Sequence, residues 1–351
     1  MRRLKCEFLV VGGGPAGSTT AYKLAKGGAK VLVVDFKRKI GTPVQCAEFV
    51  PIQLYHQFKE FFDEEGIAQR VNKMVHFTPW GEAVSMESLG FVLNREIFDY
   101  KIHLLALQRG AEYVLRTRFL ALEGKYALLE NIDTRERLVV EFELLIGADG
   151  PRSRVSILTG EHTKDFLTTA QITAPLKIPV ENLLIFFKDY IPGGYGWLFP
   201  KGSTANVGVG LNPSFGINVM DALRRFFKEV VAEGFVENKI LKRTGGWIPA
   251  EGLLKVVRDQ VMLVGDAGGF CHPITGGGIA NAVLSGRMCA DAILEGSPED
   301  FEELSEDIFG ETLRRASLKR KKYMKEWDVL EDRIKKTWIA FKEYWEVRNS
   351  C

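Results

Sequence analysis

No two cysteines in this chain stand at CxxC spacing, and the five present (Cys6, Cys46, Cys271, Cys289 and Cys351) are scattered and odd in number. That argues against a disulfide framework or a zinc ribbon and makes a reducing cytoplasm the expected setting. Histidine is scarce too: His56, His76, His103, His162 and His272 show no metal-ligand spacing, and no metal site is expected. An excess of either charge is missing. The net charge is +2 over 351 residues, whereas a dedicated nucleic-acid binder carries a basic excess over a whole domain. No apolar run reaches the roughly 18 residues of a transmembrane helix. The start, Met1-Arg2-Arg3-Leu4-Lys5, leads straight into an apolar strand without a signal-peptide cleavage pattern. Repeats and low-complexity tracts are absent as well.

Glycine, by contrast, is plentiful at 35 residues and clustered. Residues 6–35 read as strand, glycine turn, helix, strand. The pattern predicts helix over 50–75 and short strands over 74–93 around Pro79-Trp80-Gly81. Asn94 is placed to cap a helix from Arg95 to about Arg109 that Gly110 stops. A small meander is expected from Tyr113 to Ile146. Residues 183–187, 195–200 and 205–211 read as strands, the last two as a hairpin closed by Lys201-Gly202-Ser203-Thr204. A helix is expected at 217–233, and 299–348 reads as charged and helical throughout.

Gly12, Gly14 and Gly17 form GxGxxG between the strand Phe8-Leu9-Val10-Val11 and a helix, and Val31-Leu32-Val33-Val34-Asp35 follows. The setting is that of a dinucleotide fold. The first glycine makes the turn and the second lets backbone approach a pyrophosphate. The helix N-terminus offers N–H groups, and Asp35 is placed to take ribose hydroxyls. Two further apolar strands end in aspartate: Leu144-Leu145-Ile146-Gly147-Ala148-Asp149-Gly150 and Val261-Met262-Leu263-Val264-Gly265-Asp266. Asp266 suits a ribitol hydroxyl, and Gly276-Gly277-Gly278-Ile279 lets backbone reach a flat ring edge. Three such aspartates fit one extended ligand, FAD; NAD would not need the third. No second GxGxxG lies between a strand and a helix with a later acid. The electron donor (NAD(P)H, ferredoxin or another carrier) is therefore expected to dock transiently.

These motifs resemble the aromatic-hydroxylase-like (second glutathione-reductase-type) flavoprotein superfamily. The resemblance implies an α/β chain: a Rossmann-like FAD domain with an α+β, antiparallel-sheet substrate lobe and a C-terminal helical segment. The expected division is 1–73, 94–165 and 256–298 for FAD, 74–93 and 166–255 for substrate, and 299–351 for the helical segment. It implies Asp266 on the ribityl chain, Asp149-Gly150 near the pyrophosphate, Arg95 on the cofactor, and Phe119 at the adenine end. Ala16, Ala47, Gly277, Gly278 and Ile279 complete the implied cofactor set.

Pro192-Gly193-Gly194-Tyr195-Gly196-Trp197-Leu198-Phe199-Pro200 puts three aromatics on one face of a strand. It is similar to the PxxYxWxFP pattern of the geranylgeranyl reductase family. The agreement extends through Asn206-Val207-Gly208-Val209-Gly210, Gly245-Gly246-Trp247-Ile248-Pro249 and Gly265 to Ile279. Gln45-Cys46-Ala47-Glu48 resembles the family's Cys-(Ala/Gly)-Glu segment beside the flavin, although Phe49 stands where the family usually has glycine. The resemblance implies saturation of isoprenoid double bonds, with hydride from flavin N5 and a dry aromatic tunnel. The expected substrate is an ether phospholipid, a prenyl diphosphate or a prenylquinone. Tyr195, Trp197 and Phe199 form the expected substrate wall with His272, which either donates a proton or bonds backbone. Cys46, Tyr195 and Trp197 are the candidate catalytic residues, and the proton source is Cys46, Tyr195 or a flavin-held water. A flavin monooxygenase or halogenase, and a non-catalytic flavin or lipid binder, are the rival readings.

Tyr323, Trp327, Leu330, Ile334, Trp338, Phe341 and Trp345 recur at steps of three and four, and Arg314 to Arg348 holds 12 Lys/Arg against 6 Asp/Glu. The stripe either packs on the body or lies at a membrane interface as a peripheral contact on the inner surface.

Overall fold

Val31 to Val34 and Leu9 to Val11 are buried without alternation, as strands covered on both faces of a parallel sheet must be. The computed structural model describes residues 2–323 and 330–346. Its six-stranded sheet runs in the order Val257–Arg258, Val261–Leu263, Leu144–Gly147, Phe8–Val11, Val31–Val34, Glu112–Val114. All neighbours are parallel except the edge pair Val257–Arg258 and Val261–Leu263. The helices Pro15–Lys26 and Ile279–Leu294 lie side by side on it, and their approach is close. A Cβ on Gly286 would fall 2.4 Å from the Ala16 carbonyl oxygen. A four-stranded sheet (Arg2–Lys5, Arg137–Glu141, Tyr126–Asn131, Thr117–Glu123) supplies the meander.

The second large sheet has eight strands, in the order Lys242–Pro249, Phe166–Pro175, Thr204–Leu211, Tyr195–Lys201, Leu183–Phe186, Ile67–Phe77, Ala83–Leu93, Phe49–Pro51. Only Leu183–Phe186 with Ile67–Phe77 pairs parallel. One face, with Leu198, Val207 and Val209, is covered by the helix Val219–Ala232. The other carries Trp197 and Phe199 in a separate cluster.

Several sequence expectations need correcting. Residues 67–75, read as helix, belong to the 11-residue strand Ile67–Phe77, which pairs with an equally long Ala83–Leu93. Bulges at Ile67/Gln69 and Val71/Lys73 break its alternation, and its polar face hides the strand signal. The Asn94 side chain does not cap the following helix, Arg95–Gln108; it donates to the Glu65 carbonyl oxygen at 2.8 Å. The C-terminal segment is not one helix. Helix runs from Asp300 to Tyr323 through a π turn at Glu306–Gly310, and beyond the undescribed 324–329 the non-helical stretch 338–341 separates Leu330–Thr337 from Lys342–Glu346. Ile334, Trp338 and Phe341 turn inward onto the Trp197 face with Leu330 against them, whereas Trp345 is exposed. Trp327 and the Tyr323 side chain lie outside the described residues. No helix among the described residues is long and apolar enough to cross a membrane.

Candidate active site

Gly12 to Gly17, Asp149 and Asp266 follow the C-terminal ends of three adjacent parallel strands, and Asp35 follows the fourth. In open α/β sheets that edge is where ligands bind. Gly12 has φ +106°, and a Cβ there would lie 2.2 Å from the Ala148 oxygen; one on Gly17 would lie 1.9 Å from the Gly12 oxygen. Nothing stands within 4 Å of the corresponding point on Gly14, so that side of the turn is open. Asp35 accepts from the Gly13 and Lys37 N–H groups, both at 2.7 Å, and so also pins the glycine turn. Its carbonyl oxygen accepts from Thr117, which ties the buried Phe119 strand to the same end.

Asp149 is already committed. It accepts from the Ser153 hydroxyl and from the Arg154 N–H at 2.7 Å, holding the start of the helix Arg154–Leu158. Burial pushes its carboxyl up against those bonds. Gly150 beside it, at φ +83°, has open space where a side chain would be. Asp266 differs: no hydrogen bond to its carboxylate exists among the described residues, and burial pushes it up to about 6, with Arg95 opposing. A Cβ on Gly278 would sit 3.2 Å from Asp266 Oδ1 and 3.3 Å from Cys271 Sγ, so that aspartate faces the N-terminus of the helix Ile279–Leu294. An acceptor without a partner, an open glycine turn and a glycine-lined helix start are what an FAD-shaped ligand requires. The residues fit it.

Arg95 is half-buried and bidentate to Asp99, with Nε–Oδ1 at 2.6 Å and Nη2–Oδ2 at 2.8 Å. Burial works against its charge, and Asp99 more than compensates. The cation that a helix N-terminus would oppose is thereby neutralised on its own helix.

Around Cys46 hydrogen bonds tie the chain ahead of Phe49–Pro51 to the strands Phe166–Pro175 and Tyr195–Lys201. Trp197 Nε1 donates to Gln171 Oε1 (3.0 Å), and Gln171 Nε2 donates to the Cys46 carbonyl oxygen (3.1 Å). The Glu48 N–H donates to Cys46 Sγ at 3.3 Å. Glu48 is buried at φ +76°, a conformation that costs a non-glycine residue about 1–3 kcal/mol and persists only where its surroundings hold it. Here they do. Its Oε1 accepts from Arg95 N (3.1 Å), and its Oε2 from Lys201 Nζ and Asn206 Nδ2, both at 2.7 Å. Burial pushes the Cys46 thiol up, Arg95 and the Glu48 N–H oppose this, and the Glu48 and Asp99 charges add to it. Glu48, Gln171, Lys201, Asn206 and Asp99 were not singled out from sequence. Of these, Glu48 in the Cys-Ala-Glu segment and Asn206 in the Asn-Val-Gly-Val-Gly segment carried a signal.

The aromatic strand lies as its alternation implies. Trp197 covers Gly208, where a Cβ would fall 2.3 Å from the indole. Behind the strand, Gly196 meets the Phe226 ring and Gly194 the Gly210 carbonyl. Phe199 meets Phe49 edge-on at 6.4 Å, so the residue in place of the family's glycine extends the same wall. The Tyr195 hydroxyl donates to the Thr275 carbonyl oxygen, and its ring meets Trp338 at 4.8 Å. Burial pushes the Tyr195 phenol up. His272 Nδ1 accepts from the Ile274 (3.3 Å) and Thr275 (3.2 Å) N–H groups, and burial lowers it to about 4, with Arg315 adding to this. It is a neutral ring ordering the 272–275 turn. Ala47 and Ile279 fall at the same junction, Ala47 against the aromatic cluster and Ile279 at the helix start. Beside Tyr195 a narrow cavity closed by Arg333, Ile334 and Trp338 has room for roughly one water.

Comparison with solved structures defines the class. A flavin-dependent brominase (Bmp2) shares the fold at 17% identity and a TM-score of 0.72, over 91% of this chain and 87% of that one. A geranylgeranyl bacteriochlorophyll reductase-like protein from Thermoplasma acidophilum is nearer, at 27% identity and a TM-score of 0.82, over 91% and 88% of the two chains. The fold is therefore the Rossmann-like one shared with FAD-dependent hydroxylases and halogenases. Residues 10–59 match the NAD(P)-binding Rossmann-like domain, and 166–248 the geranylgeranyl reductase catalytic domain. Digeranylgeranylglycerophospholipid reductase 3 of Methanosphaera stadtmanae is 33% identical over 92% of this chain and 86% of its own. The corresponding reductase of Methanocella arvoryzae is 35% identical over 83% and 78%. The chain belongs to the digeranylgeranylglycerophospholipid reductase family.

Proposed function

We propose that this chain uses FAD to saturate the carbon–carbon double bonds of geranylgeranyl chains on a glycerophospholipid. The observation that carries this reading is the junction of the aromatic strand with the cofactor edge. Trp197 reaches Cys46 through Gln171, and Tyr195 closes on the 275–278 turn beside the unpartnered Asp266. Asp35 and the strand around Phe119 hold the adenosine half of FAD. Gly12, Gly14, Ala16, Gly17, Asp149 and Gly150 line its pyrophosphate, while Arg95, Asp266, Ala47 and Gly277 to Ile279 surround the ribityl chain and ring. Held there in its reduced form, the cofactor supplies the hydride.

The protein's own groups do the rest. Tyr195, Trp197 and Phe199 hold the prenyl chain and exclude water, which an isolated alkene, a poor hydride acceptor, requires. Cys46 gives its proton to the carbon that does not receive the hydride and is reprotonated from solvent. Its thiol is kept protonated by burial, whereas the Tyr195 proton is engaged by the Thr275 carbonyl oxygen. The six- and four-stranded sheets form the flavin lobe and the eight-stranded sheet the substrate lobe, with the helical segment from residue 299 over the aromatic face. The electron donor docks transiently from the cytoplasm. Contact with the membrane surface runs through the outer side of the C-terminal helices, where Leu304, Ile308, Leu318 and Trp345 are exposed.

Replacement of Asp35 by alanine is expected to weaken FAD far more than FMN, because only FAD has an adenosine half; equal losses would misplace Asp35. Cys46→Ala is expected to keep FAD bound and to slow reduction about a hundredfold, as removal of a general acid does. Wild-type rate and product pattern would return Cys46 to packing. Mass spectrometry of lipids from cells producing the chain, beside the Asp266→Ala variant, tests the function. Saturated archaeol-type chains are expected only with the intact protein, and unchanged lipids in both would overturn the reading.

A further inference from the structure

The Cys46 turn is held in place by the buried Glu48, two residues further along the chain. Glu48 lies at the meeting point of three elements: the helix Arg95–Gln108 of the cofactor side, and the strands Tyr195–Lys201 and Thr204–Leu211 of the aromatic side. Its carboxylate meets one cation, one amide and one helix-terminal N–H, a donor set that favours an anion. Its backbone closes the turn from both directions. Its N–H donates to Cys46 Sγ, and its carbonyl oxygen accepts from Leu93 N–H at 2.9 Å. With φ at +76°, this backbone would suit glycine. The side chain is therefore retained against a conformational preference, and the three donors around it are what it is retained for.

We propose that Glu48 is a positioning residue for the reduction: gripped by Lys201, Asn206 and the Arg95 N–H, it holds the 46–48 turn so that the Cys46 thiol meets the cofactor and the prenyl chain. The inference rests on the role proposed above for Cys46. Glu48 acts on that thiol in two ways, by fixing its position and by setting its charge environment. Of the groups facing Cys46, Arg95 and the Glu48 backbone N–H favour the thiolate, while the carboxylates of Glu48 and Asp99 favour the protonated thiol. Tyr195 and Cys271 lie close enough to feel its charge.

The test uses the intact, FAD-loaded protein and four variants: Glu48→Gln, Glu48→Gly, Lys201→Met, and Glu48→Gln with Lys201→Met. Two quantities are measured: kcat and KM on a digeranylgeranyl phospholipid, and the pH profile of Cys46 alkylation by iodoacetamide, read on the Cys46 peptide by mass. Glu48→Gly relaxes the backbone and deletes the carboxylate. It is expected to lose about a hundredfold in kcat with little change in KM, the scale of a misplacement near 1 Å. Glu48→Gln keeps acceptor oxygen and is expected to recover part of that loss. Its alkylation profile is expected to move to lower pH, because the charge that disfavours the thiolate is gone while Arg95 remains. Lys201→Met is expected to lower kcat, and the double variant to be no worse than the worse single one. A Glu48→Gly protein with wild-type kcat, or an alkylation profile in Glu48→Gln that superimposes on the wild type, would overturn the proposal. Failure of the Cys46 role reads differently: Cys46→Ala would turn over normally while the Glu48→Gln alkylation profile still moved.

Discussion

Trp197→Ala is expected to slow reduction of the prenyl chain about a hundredfold while dithionite still reduces the bound flavin at the wild-type rate. The indole does three things that alanine cannot. It fills the space over Gly208, it forms the middle of the wall between Tyr195 and Phe199, and it donates to Gln171, whose amide in turn holds the Cys46 carbonyl. Losing it opens space beside the aromatic strand, admits water and frees the Cys46 turn together. Truncating a buried tryptophan also costs about 3–5 kcal/mol of stability, so a lower melting temperature is expected alongside. Trp197→Phe separates the effects. It keeps most of the aromatic volume and loses only the N–H, leaving Gln171 Oε1 unpaired, so a smaller loss of about tenfold is expected. Gly208→Ala attacks the same point from the other side, since its Cβ would fall 2.3 Å from the indole and must displace it. Dithionite reduction needs no substrate contact and serves as the internal control. Normal prenyl-lipid reduction by both Trp197→Ala and Gly208→Ala would return these aromatics to ordinary core.

Asp266→Asn is expected to weaken FAD binding and, without FAD, to make the folded protein more stable. The two effects have opposite signs because the carboxylate has no hydrogen-bond partner among the described residues. A half-buried carboxylate with no protein donor is held at a cost in the free protein, and one that receives ligand hydroxyls recovers it on binding. Loss of a charged acceptor from a ligand hydroxyl is worth about 1.5–3 kcal/mol, roughly 10- to 150-fold in affinity. The pH dependence follows from the carboxyl being pushed up to about 6. The folded, FAD-free protein holds this proton to about pH 6, while the unfolded chain gives it up near pH 4. Between those values the folded state binds more protons, so this group lowers stability as pH rises. Thermal melts of the FAD-free protein at a series of pH values are expected to show Asp266→Asn gaining on the wild type from pH 4 to pH 6. FAD titrations are expected to show the wild type binding more tightly as pH rises through that window and the variant indifferent to it. Parallel melts of wild type and variant would mean the carboxylate is already satisfied.

The parts of this fold that the sequence reveals are those where backbone sterics demand a residue type locally. Gly12 and Gly17 leave no room for a side chain, and the strands before them must be apolar on both faces; both facts are written within a few positions. The aromatic alternation of Tyr195, Trp197 and Phe199 survives into the structure for the same reason. What the sequence hides is bonding across the chain. Glu48 meets Asn206 and Lys201 across 158 and 153 positions, and Gln171 meets Cys46 across 125. No periodicity marks such residues. Strand Ile67–Phe77 was hidden by two bulges that break the period of two. The C-terminal stripe advertised an apolar face without saying what would cover it, and its described members Ile334, Trp338 and Phe341 cover the aromatic strand.

The junction of flavin edge and aromatic strand is expected to reduce prenyl double bonds without oxygen. A single-turnover mixing experiment tests it most directly: the FAD-loaded protein is reduced with dithionite under strict anaerobiosis and mixed with digeranylgeranyl phospholipid. Flavin absorbance and lipid mass are then followed together. The oxidised flavin spectrum is expected to return on mixing, in step with the lipid gaining two hydrogens for each flavin reoxidised. Flavin that stays reduced beside unchanged lipid, and reoxidises only when oxygen is admitted, would contradict it and favour an oxygen-using enzyme on the same fold.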